Sequence, residues 1–246
     1  MRGATVLTAG RQGCDITIDL AEPDGMASVV AGARPDVVVN CAAMSSLSAC
    51  QAKPTLALKV NGKSPGALAR ASGARFVQLS TDLVFDGDVA PYYAGSSPRP
   101  LSVYGMSKAA GESLAGDAWL VLRLPLLVGR SFDGRRGATD MLRQGVGAKE
   151  RLVLFSDEFR TPMHVADAAR GIVDLTFDRD VRGIRHVAGK ERISRWELCK
   201  RFCAATGVSP GEFQPGVSED PRRPKDVSLV ADWTPDRELD TALAEC

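Results

Sequence analysis

Short, almost uninterrupted apolar runs, each closed by a polar or small residue, recur along the first half of this chain with helical patterns between them. Residues 4–8, 16–20, 37–40, 76–80 and 120–124 read as strands of this kind. A strand that is apolar on both faces is buried on both faces, the condition of a parallel sheet covered by helices on each side. Segments 22–33, 54–71 and 103–114 space their apolar residues as helices do and would supply that cover. In such a doubly wound sheet, ligands bind beyond the carboxyl ends of the strands. Residues 40–43 (Asn-Cys-Ala-Ala) and 80–82 (Ser-Thr-Asp) would end at one rim. The small Ala42 and Ala43 would let a ligand approach the backbone there.

Beyond Arg123 the texture changes. Residues 129–137 are rich in Gly and Arg and read as a loop, 138–149 as a helix, and 151–155 as a strand. Thr161-Pro162 precedes a helix over about 165–177, 184–187 reads as a strand, and 226–230 as a short one. Ser194 has the character of an N-cap, with Glu197 three residues on completing a capping box. With 246 residues, the chain suits one large α/β domain with a smaller lobe. The expected division is a Rossmann-like domain over 1–128, to which 156–190 return, and an α/β substrate lobe from 129–155 and 191–246.

Tyr104 and Lys108 stand at i and i+4 of the segment expected to be helical, so both side chains would face one space. An ammonium beside a phenol favours the phenolate and lowers the tyrosine pKa toward working pH. Such a group can protonate a carbonyl oxygen as hydride reaches the carbon, and Thr81 supplies a hydroxyl at the end of an expected strand. Arg160, before the Thr-Pro turn, has the planar donor fork that grips a diphosphate, and Arg223 in the Arg222-Arg223 pair could do likewise. Asp82 reads as turn chemistry, His164 as a packed helix-start residue, and Cys199 and Cys203 as packing on one helix face. A formal net charge of +1 points to no nucleic-acid or membrane partner. Two histidines and six scattered cysteines without a C-x-x-C make no zinc site. No apolar run reaches membrane-spanning length and no signal-peptide core is evident, so a cytoplasmic location with reduced thiols is expected.

Taken in order, residues 35–43, Val60-Asn61, 79–87 (Leu-Ser-Thr-Asp-Leu-Val-Phe-Asp-Gly), 100–108 (Pro-Leu-Ser-Val-Tyr-Gly-Met-Ser-Lys), Arg160-Thr161-Pro162 and 223–229 resemble an extended short-chain dehydrogenase/reductase of the dTDP-4-dehydrorhamnose reductase group. The resemblance implies Tyr104 as proton donor, Lys108 as its partner and holder of the nicotinamide ribose, and Thr81 on the substrate carbonyl. It implies a cofactor groove lined by Ala42 and Ala43, with Asn61 and Ser80 on the same side. Asp19 and Leu20 fall where such proteins contact adenine, and Gly10 and Arg11 follow the second strand, where a 2′-phosphate would sit. NADP or NAD is the implied cofactor, NADPH slightly favoured. A nucleotide-linked 4-keto-6-deoxy sugar is the implied substrate, and a homodimer the implied assembly.

Three departures from that pattern stand out. The glycine-rich turn that cradles a pyrophosphate at a helix N-terminus is not in its place. Gly10-Arg-Gln-Gly13 imitates it, but too few residues separate it from Asn40 for the intervening elements of a dinucleotide fold. Residues 4–8 therefore read as the second strand, with the first strand and helix absent, either because the start lies too late or because the cradle has been shed. Leu83 stands where the rhamnose enzymes have a tyrosine, and Ser46-Leu47-Ser48 where they have a Thr-x-Val-Asp type segment. The alternative to an enzyme is a non-catalytic family member serving as a regulatory or scaffolding subunit, as the β subunit of methionine adenosyltransferase does.

Overall fold

Four parallel strands form the central sheet of the computed structural model, which describes residues 3–115 and 119–246. Their order is Gly183–His186, Leu120–Leu124, Arg75–Thr81, Val37–Asn40. The expected strands at 37–40 and 120–124 appear with those bounds, and the expected 184–187 begins one residue earlier. Phe76, Val77, Leu120, Val121 and Leu122 are each exposed by 1% or less, as near-continuous apolar strands covered on both faces should be. Helices Pro23–Ala33, Ser64–Ser72, Val103–Glu112 and Val165–Phe177 provide cover. Val37–Asn40 forms one end of the sheet order, and its Val39 is 39% exposed.

The N-terminal expectation is corrected. Strand structure is confined to Ala9–Gly10 and Ile16–Thr17, which pair in parallel with each other and stay outside the four-stranded sheet. Val6 and Leu7 of the apolar run are 75% and 56% exposed. An apolar run becomes a strand only where a neighbour takes up its backbone donors and acceptors. Two further differences lie close to the rim. A short helix not expected from sequence, Leu47–Ala52, starts at Ser46, whose Oγ accepts from the Ala49 N–H. The expected helix over 54–71 is Pro54–Ala57, a π-helical stretch Leu58–Lys63, and Ser64–Ser72.

Farther along, helix Ala138–Gly145 stops short of the expected 149. Strand Leu152–Phe155 pairs with Phe213–Gly216, and helix Arg195–Thr206 packs over them. Leu142, Leu154, Cys199, Phe202, Cys203, Phe213 and Leu243 form a packing centre distinct from those around the central sheet. Ser194 caps its helix by accepting from Glu197 N–H at 3.0 Å, while the Glu197 carboxylate pairs with Lys200 rather than closing a capping box. The expected strand over 226–230 is reduced to isolated bridges, Tyr92 with Leu229 and Phe159 with Asp226. Phe159–Arg160 runs antiparallel to Ile193–Ser194, which brings Arg160 and Arg195 together at the edge of the site. Among the described residues, no helix is long and apolar enough to cross a membrane.

Candidate active site

The central strand Arg75–Thr81 delivers Thr81 to the carboxyl rim, and Asn40 ends beside it, bonded through its Nδ2 to Gln78 Oε1 at 2.8 Å. The two strand ends therefore share one rim, as the sequence implied. Thr81 Oγ1 accepts from Leu83 N–H at 3.2 Å, starting a short 3-10 turn over Asp82–Val84. Leu83 O then meets Gly105 so closely that a Cβ there would lie 2.2 Å from it. Only glycine admits this approach, and it seats the first turn of helix Val103–Glu112 on the strand end. Ser102 caps that helix, its Oγ accepting from Gly105 N–H at 3.1 Å.

Tyr104 thus comes near enough to Thr81 for that hydroxyl to act on its titration. Its pKa is pushed up to about 12, by burial first, with Asp82 and Cys50 adding to the effect and Thr81 opposing it. This reverses the expected lowering by Lys108. The lysine donates to Leu79 O at 2.6 Å, and burial pushes its own pKa down to about 8 against the pull of Glu112 and Cys41. A buried phenol with a high pKa holds its proton across the physiological range, which suits a donor better than a base.

The remaining cofactor-side expectations divide. Ala42 and Ala43 are exposed at the rim, with Ala42 N–H held by Asn40 Oδ1 at 3.2 Å. Asn61 is 1% exposed and commits its amide to Met44 N, Met44 O and Ser107 Oγ. It pins the rim loop to the Tyr104 helix and has little left for a ligand. Ser80 donates to Glu112 Oε1 in a buried network, on the opposite pleat from Thr81. Leu20 packs with Met26, Val30, Leu68 and Phe76, and Asp19 Oδ1 caps Ala21 N–H at 2.8 Å. Leu20, expected to contact adenine, is a core residue here. Gly10 and Arg11 precede a strand rather than a helix, and their turn is closed by Asp15 bonding Thr8 N and Oγ1 at 2.8 and 2.7 Å. Thr81, Tyr104, Lys108 and the small rim residues fit the nicotinamide end of a dinucleotide. The Gly10–Gly13 turn does not form a helix-N-terminal phosphate cradle.

Sequence reasoning named Arg160 and Arg223 for a diphosphate but missed Arg195 and the carboxylates that hold them. Asp82 is 3% exposed, and its pKa is raised to about 6 by burial despite Arg160 Nε 3.6 Å from Oδ2. Arg195, one residue past Ser194, is pushed down to about 10 by burial and by Arg160, with Arg223 also contributing. Arg223 grips Glu158 through Nε and Nη2 at 2.5 and 2.9 Å. Three guanidinium groups and two carboxylates therefore form one cluster that meets Thr81 through Asp82. Beneath the site, fully buried Arg123 meets Glu112 through Nε at 3.0 and 3.2 Å and Nη2 at 2.7 Å. The i+4 step from Lys108 to Glu112 was visible in the sequence, but Arg123 as its partner was not. His164 caps its helix by accepting from Ala166 N–H at 3.2 Å, as the packed reading held.

A family model described as RmlD substrate binding domain matches residues 1–232. The chain belongs to that family. It is 38% identical over 232 residues to a dTDP-4-dehydrorhamnose reductase of Streptomyces griseus, covering 88% of this chain and 73% of that protein. It is 29% identical over 228 residues to methionine adenosyltransferase 2 subunit beta of Danio rerio, covering 86% and 69% respectively. Among solved structures, a hypothetical dTDP-4-dehydrorhamnose reductase from Sulfolobus tokodaii superposes with a TM-score of 0.78 at 28% identity, covering 89% of this chain and 83% of that one. Family and fold place the chain among the NAD(P)-dependent oxidoreductases of the short-chain type.

Proposed function

We propose that this protein reduces the 4-keto group of a nucleotide-linked 6-deoxy sugar of the dTDP-4-dehydrorhamnose type, with Tyr104 as proton donor. The observation that carries the reading is Tyr104 beside Thr81 at the carboxyl rim of a parallel sheet, with Lys108 one turn farther along the same helix. NADPH or NADH, when bound, supplies the hydride. Thr81 and Tyr104 hold the carbonyl oxygen between two hydroxyls, and the phenol yields its proton as negative charge develops there. Lys108, buried and with its pKa lowered to about 8, is mostly charged at neutral pH, one helical turn from the phenolate that would remain.

Arg160, Arg195 and Arg223 are the groups we assign to the substrate's diphosphate, and the lobe around helix Arg195–Thr206 to its nucleotide. Arg223 and Arg160 are already oriented by Glu158 and Asp82, so little side-chain freedom remains to be lost on binding. The test is reduction of dTDP-4-dehydrorhamnose by NADPH, with calorimetric titration of the same coenzyme. Tyr104→Phe should lower turnover by roughly 10²- to 10⁴-fold while leaving NADPH affinity within a few-fold. Turnover equal to the unaltered protein would remove Tyr104 from the mechanism. A non-catalytic subunit role is favoured by the likeness to methionine adenosyltransferase 2 subunit beta. That reading prevails if no keto sugar is reduced and NADPH does not bind at millimolar concentration.

A further inference from the structure

A second recess lies behind the short strand that carries Arg160. Side chains alternate along an extended segment, so Arg160 turns to Asp82 on one face while Phe159 and Thr161 turn to the other. On that far face Ala90, Pro91, Thr161, Lys190, Arg192 and Ser228 border a cleft of about 240 Å³. None of the residues assigned to the keto sugar or its diphosphate lines it.

Hydrogen-bond donors are in surplus there. Ser228 is 1% exposed, and its Oγ has no partner among the described residues. Thr161 Oγ1 accepts from Leu229 N–H at 3.3 Å, and its own proton has no acceptor among the described residues. Half-exposed Arg192 gives Nε to Asp226 Oδ2 at 2.6 Å and stacks 3.6 Å from the Phe159 ring centroid. Its guanidinium is therefore fixed, while both terminal amino groups lack an acceptor among the described residues. Lys190 Nζ donates to Asp236 O at 2.9 Å and Glu238 Oε1 at 2.8 Å and keeps a third proton. Both carboxylates are already engaged, Glu238 by Lys190 and Asp226 by Arg192 and Ser228 N–H.

We propose that this cleft binds the phosphate group of a small phosphate ester, whose body rests against Ala90 and Pro91. A tetrahedral oxyanion offers one acceptor to each of Ser228, Thr161 and the Arg192 fork, and it satisfies a hydroxyl that is costly to bury unpaired. The space exceeds the share of one water, about 30 Å³, by enough to admit a body attached to the oxyanion. It falls short of the roughly 300–1,000 Å³ typical of drug-sized ligands, so the ester is small. Arg192 is held in place before the ligand arrives, which spares the loss of its side-chain freedom on binding.

The test is calorimetric titration with inorganic phosphate, glucose 6-phosphate and glucose, at an ionic strength held constant with KCl. Both phosphates should bind and glucose should not. Arg192→Gln should weaken glucose 6-phosphate roughly tenfold to a hundredfold, and Ser228→Ala about threefold to tenfold. The melting temperature of ligand-free Ser228→Ala should not fall, because its hydroxyl has no partner to lose, so weaker binding there cannot reflect poor folding. Should Arg192→Gln not fold, Ser228→Ala decides alone. Failure of both phosphates to bind at millimolar concentration overturns the proposal, as does glucose binding as well as its phosphate. A loss in Arg223→Gln with none in Arg192→Gln or Ser228→Ala places the ester in the diphosphate cluster and overturns it too. No arm requires turnover, so absence of keto-sugar reduction defeats only the reading of the reaction.

Discussion

Replacing Glu112 by alanine should be among the most damaging single changes in this molecule, although Glu112 touches no expected ligand. Arg123 is fully buried, and three of its N–H···O contacts, at 2.7 to 3.2 Å, go to that carboxylate. Without it, the guanidinium keeps only Ala94 O at 3.2 Å and His186 Nε2 at 3.4 Å, besides the Phe85 ring 4.9 Å away. Ser80 loses its acceptor as well. A buried charge stripped of its partner costs roughly 3–5 kcal/mol. For a chain of this length, each kcal/mol corresponds to roughly 2–4 °C, so Glu112→Ala should melt about 6–20 °C lower. The paired replacement Glu112→Leu with Arg123→Met removes both charges and should recover most of the loss, because well-packed apolar residues often match a buried ion pair. Urea unfolding followed by circular dichroism and tryptophan fluorescence gives both values and tests two-state behaviour. A single-variant loss under about 1 kcal/mol, or a double variant as unstable as the two singles summed, would refute the argument.

Further expectations are narrower. Gly105→Ala places a methyl group 2.2 Å from Leu83 O and 2.9 Å from Pro100 Cβ. The helix must shift, and turnover should fall by about 10²-fold, as an ångström of misplacement does; an unchanged kcat would show that the close approach is unimportant. Stability should also depend on pH in two opposed ways. His186, buried beside Arg123, has its pKa lowered to about 4, so between about 6.5 and 4 the unfolded chain binds a proton that the folded chain refuses. Its contribution is present above 6.5 and is lost as pH falls through that window. Asp82, raised to about 6, holds a proton when folded that it releases above 3.8 when unfolded, so its slope has the opposite sign between about 6 and 4. In Asp82→Asn the opposing slope is gone, and the urea midpoint should fall more steeply from pH 6 to 4 than in the unaltered protein. Parallel slopes would contradict the assignment.

Much of the scaffold was legible because it is local. Val37–Asn40 and Leu120–Leu124 have the bounds their apolar runs imply, and the rim holding Asn40, Thr81 and Tyr104 follows from strand-helix alternation. The N-terminal runs look similar in composition, yet residues 4–8 form no strand, since periodicity cannot report whether a neighbour exists. Partnerships across long separations were equally hidden. Asn61 is 46 residues from Ser107, Arg123 is 63 from His186, and Arg223 is 65 from Glu158. The sign of the Tyr104 shift was missed for the same reason. Spacing reveals that Lys108 shares a helix face, but not that its ammonium is bonded to Leu79 O. Asp82 resembled an ordinary turn residue until Arg160 and Arg195 were brought to its side by the antiparallel pairing of Phe159–Arg160 with Ile193–Ser194.

The π-helical stretch Leu58–Lys63 has a consequence for the phase of everything beyond it. Its i→i+5 bonds take up more residues per turn than an α-helix, which advances each residue by about 100° around the axis. Within the stretch, Asn61 must face Met44 and Ser107; beyond it, Leu68 and Ala69 must face Phe76 and Met26. A uniform α-helix of the same sequence could satisfy one of these directions and would turn the other aside. Removing one residue from the stretch would restore regular bonding and force that choice, releasing either the rim loop or the helix that covers the sheet. The wide turn is thus a rotational spacer that lets one continuous rod serve two masters at different azimuths.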